Sequence, residues 1–414
     1  MSTATADHSE TQINPHPAPL GHALPPAADA AILHARAQAL LPEIAAGAAE
    51  RERKRELPYA LVRRIAEAGL LTWRIPKAQG GPGASVHDVI RFVIDLAAAD
   101  SNVAQALRPN FGTVDSLLYG GTEAEQRRWF PRLLAGEIFG NAGLERGGAH
   151  GANTAQLRRE GEHYRISGSK YYSTGALYAD WIGSLALNEE GREVAFTVPR
   201  HRPGLELVDD FDTTGQRLTA SGSTHFQNVL VRAEEVRVNS FPRDRRSPIA
   251  PLFQLFLAAV QAGIARNALN DAVAFARHKA RPIRHSTATR SVDDPYVQET
   301  VGQIAAQAYA AEATVLRAAD AIDAAWADQL SESTLTQASI EVAQAQYFAA
   351  EAALKASELA FDVGGASATD RNINLDRHWR NARTVANHNP RQWKAAASGA
   401  WHLSGTAPPT TGLF

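Results

Sequence analysis

Hydrophobic residues along this chain follow a helical period, switch to a strand period near the middle, and return to a helical period, a double switch that few folds accommodate. Over residues 28–136, Leu57, Leu61, Ile65 and Ala68 keep one helix face until Gly69 stops it, and Val86, Val89, Ile90, Val93 and Leu96 repeat the pattern. Between them, the proline- and glycine-rich run at 75–83 predicts a tight loop. Over 137–240 the texture changes to short strand-forming runs at 163–166, 170–173, 181–187, 194–198, 205–208 and 224–231, bounded by turns such as Gly161-Glu162 and Pro203-Gly204. Six strands in this space predict a small β-barrel or sandwich. Over 241–414 the helical period resumes. Ile340, Tyr347, Leu354 and Phe361 recur every seven residues, and Ala343, Ala350 and Ser357 form a parallel small-residue row, a seam suited to antiparallel helix packing that ends at Gly364-Gly365. The fold class is therefore α+β: a helical region, an inserted β-domain and a helical bundle.

Composition narrows the function. With 42 basic and 44 acidic residues, the 414-residue chain lacks the charge excess that nucleic acid or an anionic membrane would select. It has no cysteine, which removes disulfides, thiolate metal sites and a cysteine nucleophile. Residues 1–27 are rich in proline, lack a cationic start followed by an apolar run, and read as a disordered tail. No run of about 18 apolar residues is evident for a membrane span, so the expected location is cytoplasmic. No spaced His/Asp/Glu ligand set points to a metal. No Gly-x-Gly-x-x-Gly follows a strand, so the chain carries no sign of its own nicotinamide site.

The three-part order, together with Ile166-Ser167-Gly168-Ser169-Lys170-Tyr171-Tyr172-Ser173-Thr174-Gly175 and Gly215-Gln216-Arg217, resembles the acyl-CoA dehydrogenase superfamily from about residue 30 onward. Longer runs, among them residues 172–181, Thr219-Ala220-Ser221-Gly222-Ser223-Thr224 and residues 375–384, resemble a narrower branch, the flavin-dependent monooxygenases of sulfur acquisition and dibenzothiophene oxidation. That resemblance implies a flavin between the β-domain and the C-terminal helices, FMN more readily than FAD, in a homotetramer whose neighbouring subunit helps hold the phosphate. It also implies a small-molecule substrate, O2, and a separate flavin reductase supplying reduced flavin.

Acyl-CoA dehydrogenases need a carboxylate to remove a poorly acidic C–H proton. At the two positions where the family places it, this chain has Asn389 and the pair Phe253-Gln254. The resemblance to the monooxygenase branch instead assigns His388 as the group beside a C4a-hydroperoxyflavin, where an imidazole holds the peroxide and supplies a proton. A histidine capping helix carbonyls is the structural alternative. Asn110 occupies the place of a second histidine in relatives, and Asn141 is a further candidate active-site amide. For the flavin, the resemblance assigns Thr174 to the N5 edge, Tyr172 to the aromatic position beside the ring, and Gly143 and Leu144 to main-chain contacts with the pyrimidine, with Phe211 a further cofactor-binding candidate. Arg277, Lys279, Arg281 and Arg284 could clamp a phosphate, or simply form a solvated basic helix end. Gly364, Gly365 and Ser367 could bring backbone amides to that phosphate, or serve only as a helix cap. Three readings follow: a two-component monooxygenase acting on a small organosulfur or similar heteroatom compound; an acyl-CoA dehydrogenase or oxidase, with Glu145 as substitute base; and a non-catalytic flavin-binding homologue.

Overall fold

The computed structural model describes residues 24–147, 153–237, 245–411 and 414. The first region contains helices α1 (Ala30–Ala45), α2 (Ala48–Lys54), α3 (Tyr59–Glu67), α4 (Val86–Ala106), α5 (Arg108–Gly120) and α6 (Glu123–Leu134). Ser85 and Asp88 form a reciprocal capping box at the start of α4, as Thr122 and Glu125 do for α6. Most of the expected N-terminal tail, residues 1–23, lies outside the described residues. Its last four residues are built in: the Leu24 amide donates to the Glu67 carbonyl, and Ala27 is buried in the core.

Helix α4 breaks at Asp100, whose backbone is extended (φ −155°, ψ 106°). The Asp100 carboxylate then caps the continuing segment by accepting from the Asn102 amide at 3.0 Å, and Arg51 pairs with it at 3.1 Å.

The chain changes from helix to strand between Leu134 and Phe139. Strands β1 (Phe139–Ala142), β2 (Gln156–Glu160), β3 (His163–Lys170), β4 (Trp181–Leu187), β5 (Glu193–Pro199), β6 (Leu205–Leu207), β7 (Thr224–Val231) and β8 (Val236–Arg237) form one sheet in the order β6-β7-β3-β2-β4-β5-β8, with β1 parallel to β4. Phe196 of β5 and Phe226 of β7 are not sheet neighbours, yet their rings lie 5.6 Å apart, so the sheet folds over on itself around a shared core. The six predicted strands become eight. The run at 170–173 is not a separate strand, because β3 carries through Lys170 and regular pairing ends there.

The last region holds α7 (Ile249–His278), α8 (Pro295–Ala327), α9 (Glu332–Gly364), α10 (Arg377–Ala386) and α11 (Arg391–Ser404). Helix α7 is long and apolar enough to span a membrane, contrary to the expectation that no such run exists, and it is mostly buried as the bundle's central helix. It crosses α4 very closely at Gly263, where a Cβ would come within 2.4 Å of the Ala97 Cβ. In α9 only part of the expected seam is internal: Ala343, Ala350 and Ser357 are buried, whereas Tyr347 faces outward.

Glu52 ties the first region to the last. Its carboxylate is 1% exposed and accepts from Arg380 Nη1 at 2.5 Å, Arg380 Nη2 at 3.0 Å and Asn374 Nδ2 at 2.7 Å. Removing one partner from a buried pair strands the other charge, at about 3–5 kcal/mol. Arg380→Ala is therefore expected to lower unfolding free energy by that order in urea titration, and adding Glu52→Gln should recover part of the loss.

Candidate active site

Where β3 ends, the Tyr171 amide donates to the Leu144 carbonyl at 2.8 Å, and Tyr172 turns into the left-handed region at φ 58°. A bulky residue takes that conformation only when its surroundings enforce it, and such strain concentrates at functional sites. The turn sends Tyr172 outward, 47% exposed, while Thr174 is tucked in at 6%. Leu144 is similarly open at 48%. The Asn141 amide donates to the Thr174 carbonyl at 3.1 Å, and Ser221 Oγ donates to Thr174 Oγ1 at 3.1 Å. Gly143 belongs to the same corner, since a Cβ there would come 3.0 Å from Asn141 Oδ1. The next residue, Gly175 (φ 74°), must be glycine for a second reason: a Cβ would sit 2.3 Å from the Ala106 carbonyl oxygen at the end of α4. Asn141, Gly143, Leu144, Tyr172 and Thr174 thus converge. Two open apolar side chains beside a buried hydroxyl cluster fit a flat heterocycle with one polar edge. Phe211 stands behind this surface: it is buried, with its ring 6.4 Å from Tyr171, which in turn lies 4.7 Å from Tyr172.

Glu145 is not free to act as a base. Its carboxylate takes the Lys170 ammonium at 2.8 Å and the Thr154 and Ala155 amides at 2.8 and 3.0 Å. Partial burial alone would raise its pKa, but the Lys170 hydrogen bond and those from Thr154 and Ala155 outweigh it and hold the group well below the usual carboxylate range.

Across the Gly175 contact, the α4–α5 junction presents Arg108. Its Nη2 lies 3.1 Å from His388 Nε2, and its guanidinium carbon sits 5.4 Å from the centre of the Phe253 ring. Because an arginine N–H can only donate, Nε2 accepts and the neutral imidazole carries its proton on Nδ1. Solvent reaches His388, yet surrounding protein solvates its charged form poorly; this burial, then the Arg108 cation, push its pKa down to about 3. Asn110 lies two residues further along α5, about 200° around the helix, and faces the opposite way. It is fully buried, donating to the Leu71 carbonyl at 3.3 Å and accepting from the Phe139 amide at 3.0 Å. The expected active-site amide is therefore a clamp between α5 and β1.

The two family base positions meet in space. Asn389 Nδ2 donates to Gln254 Oε1 at 2.6 Å, Gln346 Nε2 donates to the same oxygen at 3.2 Å, and all three residues are buried. The site chosen for a carboxylate in a proton-abstracting enzyme is here a cluster of buried amides.

The basic cluster and the glycine corner also adjoin one another. A Cβ on Gly364 would touch the Phe275 ring near the C-terminus of α7, next to Arg277 and Lys279, and Gly365 (φ 53°) opens to free space, with Ser367 in the short turn that follows. From Phe253 to Arg277 is 24 residues of α7, roughly 36 Å at 1.5 Å per residue. The basic cluster therefore lies far along α7 from the Arg108–His388 corner.

Profiles for the N-terminal, middle and C-terminal domains of acyl-CoA dehydrogenase match residues 29–137, 145–229 and 255–393 in turn. The chain belongs to the acyl-CoA dehydrogenase family. It is 29% identical to the probable FMNH2-dependent monooxygenase SfnC of Pseudomonas putida, over 90% of this chain and 95% of that protein. It is 30% identical to the dibenzothiophene monooxygenase of Mycolicibacterium goodii, over 82% and 86% respectively. The crystal structure of TdsC from Paenibacillus sp. A11-2 with FMN and indole superposes with a TM-score of 0.85 at 28% identity, covering 92% of this chain and all of that one.

In this acyl-CoA dehydrogenase family member, Arg108 and Ser221 join the site although the sequence does not flag them. Ser221 sits inside a branch motif without an evident role, and Arg108 is distinguished from Asn110 only by helix phase. The depressed His388 pKa has a testable sign. The unfolded chain takes up the proton near the ordinary imidazole value of 6.5 and the folded chain only near 3, so this residue erodes folded-state stability as pH falls between those values. Imidazole NMR resonances of His388 should show no protonation from pH 8 to about pH 5; a midpoint above 6 would refute the arrangement.

Proposed function

We propose that the protein is a cytoplasmic monooxygenase that uses reduced FMN and O2 to oxygenate a small organosulfur compound, with a separate reductase supplying the reduced flavin. One observation carries the choice of chemistry: both positions available to a dehydrogenase base are amides locked on each other, and Glu145 is committed to Lys170. Proton abstraction from carbon then has no carboxylate at the site among the described residues. The FMNH2-dependent and dibenzothiophene-oxidising relatives support the same direction.

Reduced FMN, when bound, supplies the two electrons with which O2 delivers one oxygen atom to a substrate and the other to water. The chain's residues do the rest. Thr174, supported by Ser221, would meet the polar edge of the ring, and Tyr172 and Leu144 would cover its apolar surface and exclude water. Asn141 and Gly143 offer polar groups at the same corner. His388 stays neutral, and its Nδ1–H is the donor it would turn from its own backbone to the reacting oxygen, while Nε2 accepts from Arg108.

The separation along α7 supports a site completed by a neighbouring subunit, whose Lys279, Arg281, Gly364, Gly365 and Ser367 would take the phosphate. Tyr296 and Tyr309 on α8 and Trp393 and Leu403 on α11 are exposed apolar side chains available for such assembly into a homotetramer. The dehydrogenase or oxidase reading lacks its base, and a non-catalytic flavin binder differs by producing no oxygenated product.

With chemically reduced FMN and oxygen-18 gas, a small thioether or sulfinate is expected to gain one labelled atom by mass spectrometry; consumption of O2 wholly to hydrogen peroxide across an organosulfur panel would defeat the proposal. His388→Ala should bind FMN normally but lose product formation about 100-fold or more, with hydrogen peroxide released instead. Mixed oligomers of His388→Ala and Lys279→Glu/Arg281→Glu subunits, each nearly inactive alone, should regain activity, and no recovery on mixing would count against a shared site.

A further inference from the structure

Among the described residues, Arg108 is a cation without a counter-charge. Other inward-facing arginines find carboxylates: Arg51 pairs with Asp100, Arg63 with Asp180, Arg74 with Asp115, Arg202 with Glu235, Arg377 with Asp271 and Arg380 with Glu52. Arg200, which contacts none, donates to the Leu177 and Ala179 carbonyls instead. Arg108 has neither solution among the described residues. Its partners are the neutral His388 ring and the face of Phe253, and its Nε is shut away from solvent with no acceptor. Burial lowers its pKa to about 10, which leaves it charged at neutral pH. A guanidinium held on one side by an imidazole and stacked on an aromatic ring keeps most of its planar fork free, and that fork matches two oxygens of one anionic head group.

We infer that Arg108 anchors an oxyanion on the substrate, so that this chain selects a small organosulfur compound bearing a sulfinate, sulfonate or carboxylate head over a neutral aromatic thioether. The inference rests on the oxygenase reading for the word substrate, but the charge selection is testable by binding alone. A half-buried cation left unpaired favours any ligand that pairs it, and truncating one side of such a pair costs binding on the order of 30-fold or more. Neutral ligands of the same shape gain hydrogen bonds from it but no ion pair.

Isothermal titration calorimetry on the full chain with oxidised FMN, using methanesulfonate and its near-isosteric neutral counterpart dimethyl sulfone, separates charge from shape. Methanesulfonate is expected to bind at least about 30-fold tighter than dimethyl sulfone. Arg108→Met should abolish that preference, Arg108→Lys should retain part of it, and both should keep FMN affinity and the wild-type circular dichroism spectrum. Equal binding of the two ligands by the unaltered protein would overturn the inference, as would loss of FMN binding in a folded Arg108→Met, which would assign the guanidinium to the flavin. Anion preference that persists when the oxygen-18 assay yields no product would uphold the anion site and remove only the oxygenase reading; labelled thioether products from a protein with no anion preference would do the reverse.

Discussion

Everything at the site hangs on the break in α4 at Asp100. A continuous helix would carry residues 101–106 straight on; the extended Asp100 redirects them, and the residues just beyond it become the meeting point of all three regions. Ser101 Oγ accepts from Gln216 of the β-domain at 3.3 Å and from Asn381 of α10 at 3.2 Å, and Asn102 Oδ1 accepts from the Leu218 amide at 3.2 Å. The new direction places Ala106 against Gly175 and begins α5 with Arg108 toward His388. The Asp100 carboxylate that enforces the break is itself buried, and only its pairing with Arg51 and its capping of Asn102 make that burial tolerable.

The chemistry of the site is defined as much by what has been neutralised as by what is charged. Three buried amides, Asn389, Gln254 and Gln346, share hydrogen bonds where a carboxylate would abstract a proton, and a nearby imidazole is held uncharged. Beside this neutral imidazole and these amides stands the charged Arg108 guanidinium, which favours electron-rich partners and disfavours a second cation. The family framework persists while amides fill the positions of its base.

The broad architecture was legible because periodicity reports burial: the helical and strand regions, and strands such as 181–187 and 224–231, follow directly from it. The misses have equally physical causes. The stretch at 170–173 has strand-forming residues, but Tyr172 leaves the sheet because Tyr171 pairs with Leu144 instead, a tertiary choice invisible in local propensity. Strands β1, β2 and β8 are short and lack clean alternation. The helical spacing that turns Asn110 into the wall and Arg108 into the site depends on where α5 starts, and its start depends on the distant break at Asp100. His388, Thr174 and Tyr172 were singled out as candidates through their motif, whereas the convergence of Asn389 with Gln254 joins residues 135 positions apart.

On the proposed reading, the length of α7 has a thermodynamic consequence. With the ring cradle at one end of that helix and the phosphate cluster at the other, cofactor occupancy and subunit association draw on a single free energy, each strengthening the other. Dilution of the enzyme then weakens its hold on flavin, and scarcity of flavin loosens the oligomer, so that the cell's flavin supply sets how much of the protein exists in its assembled form.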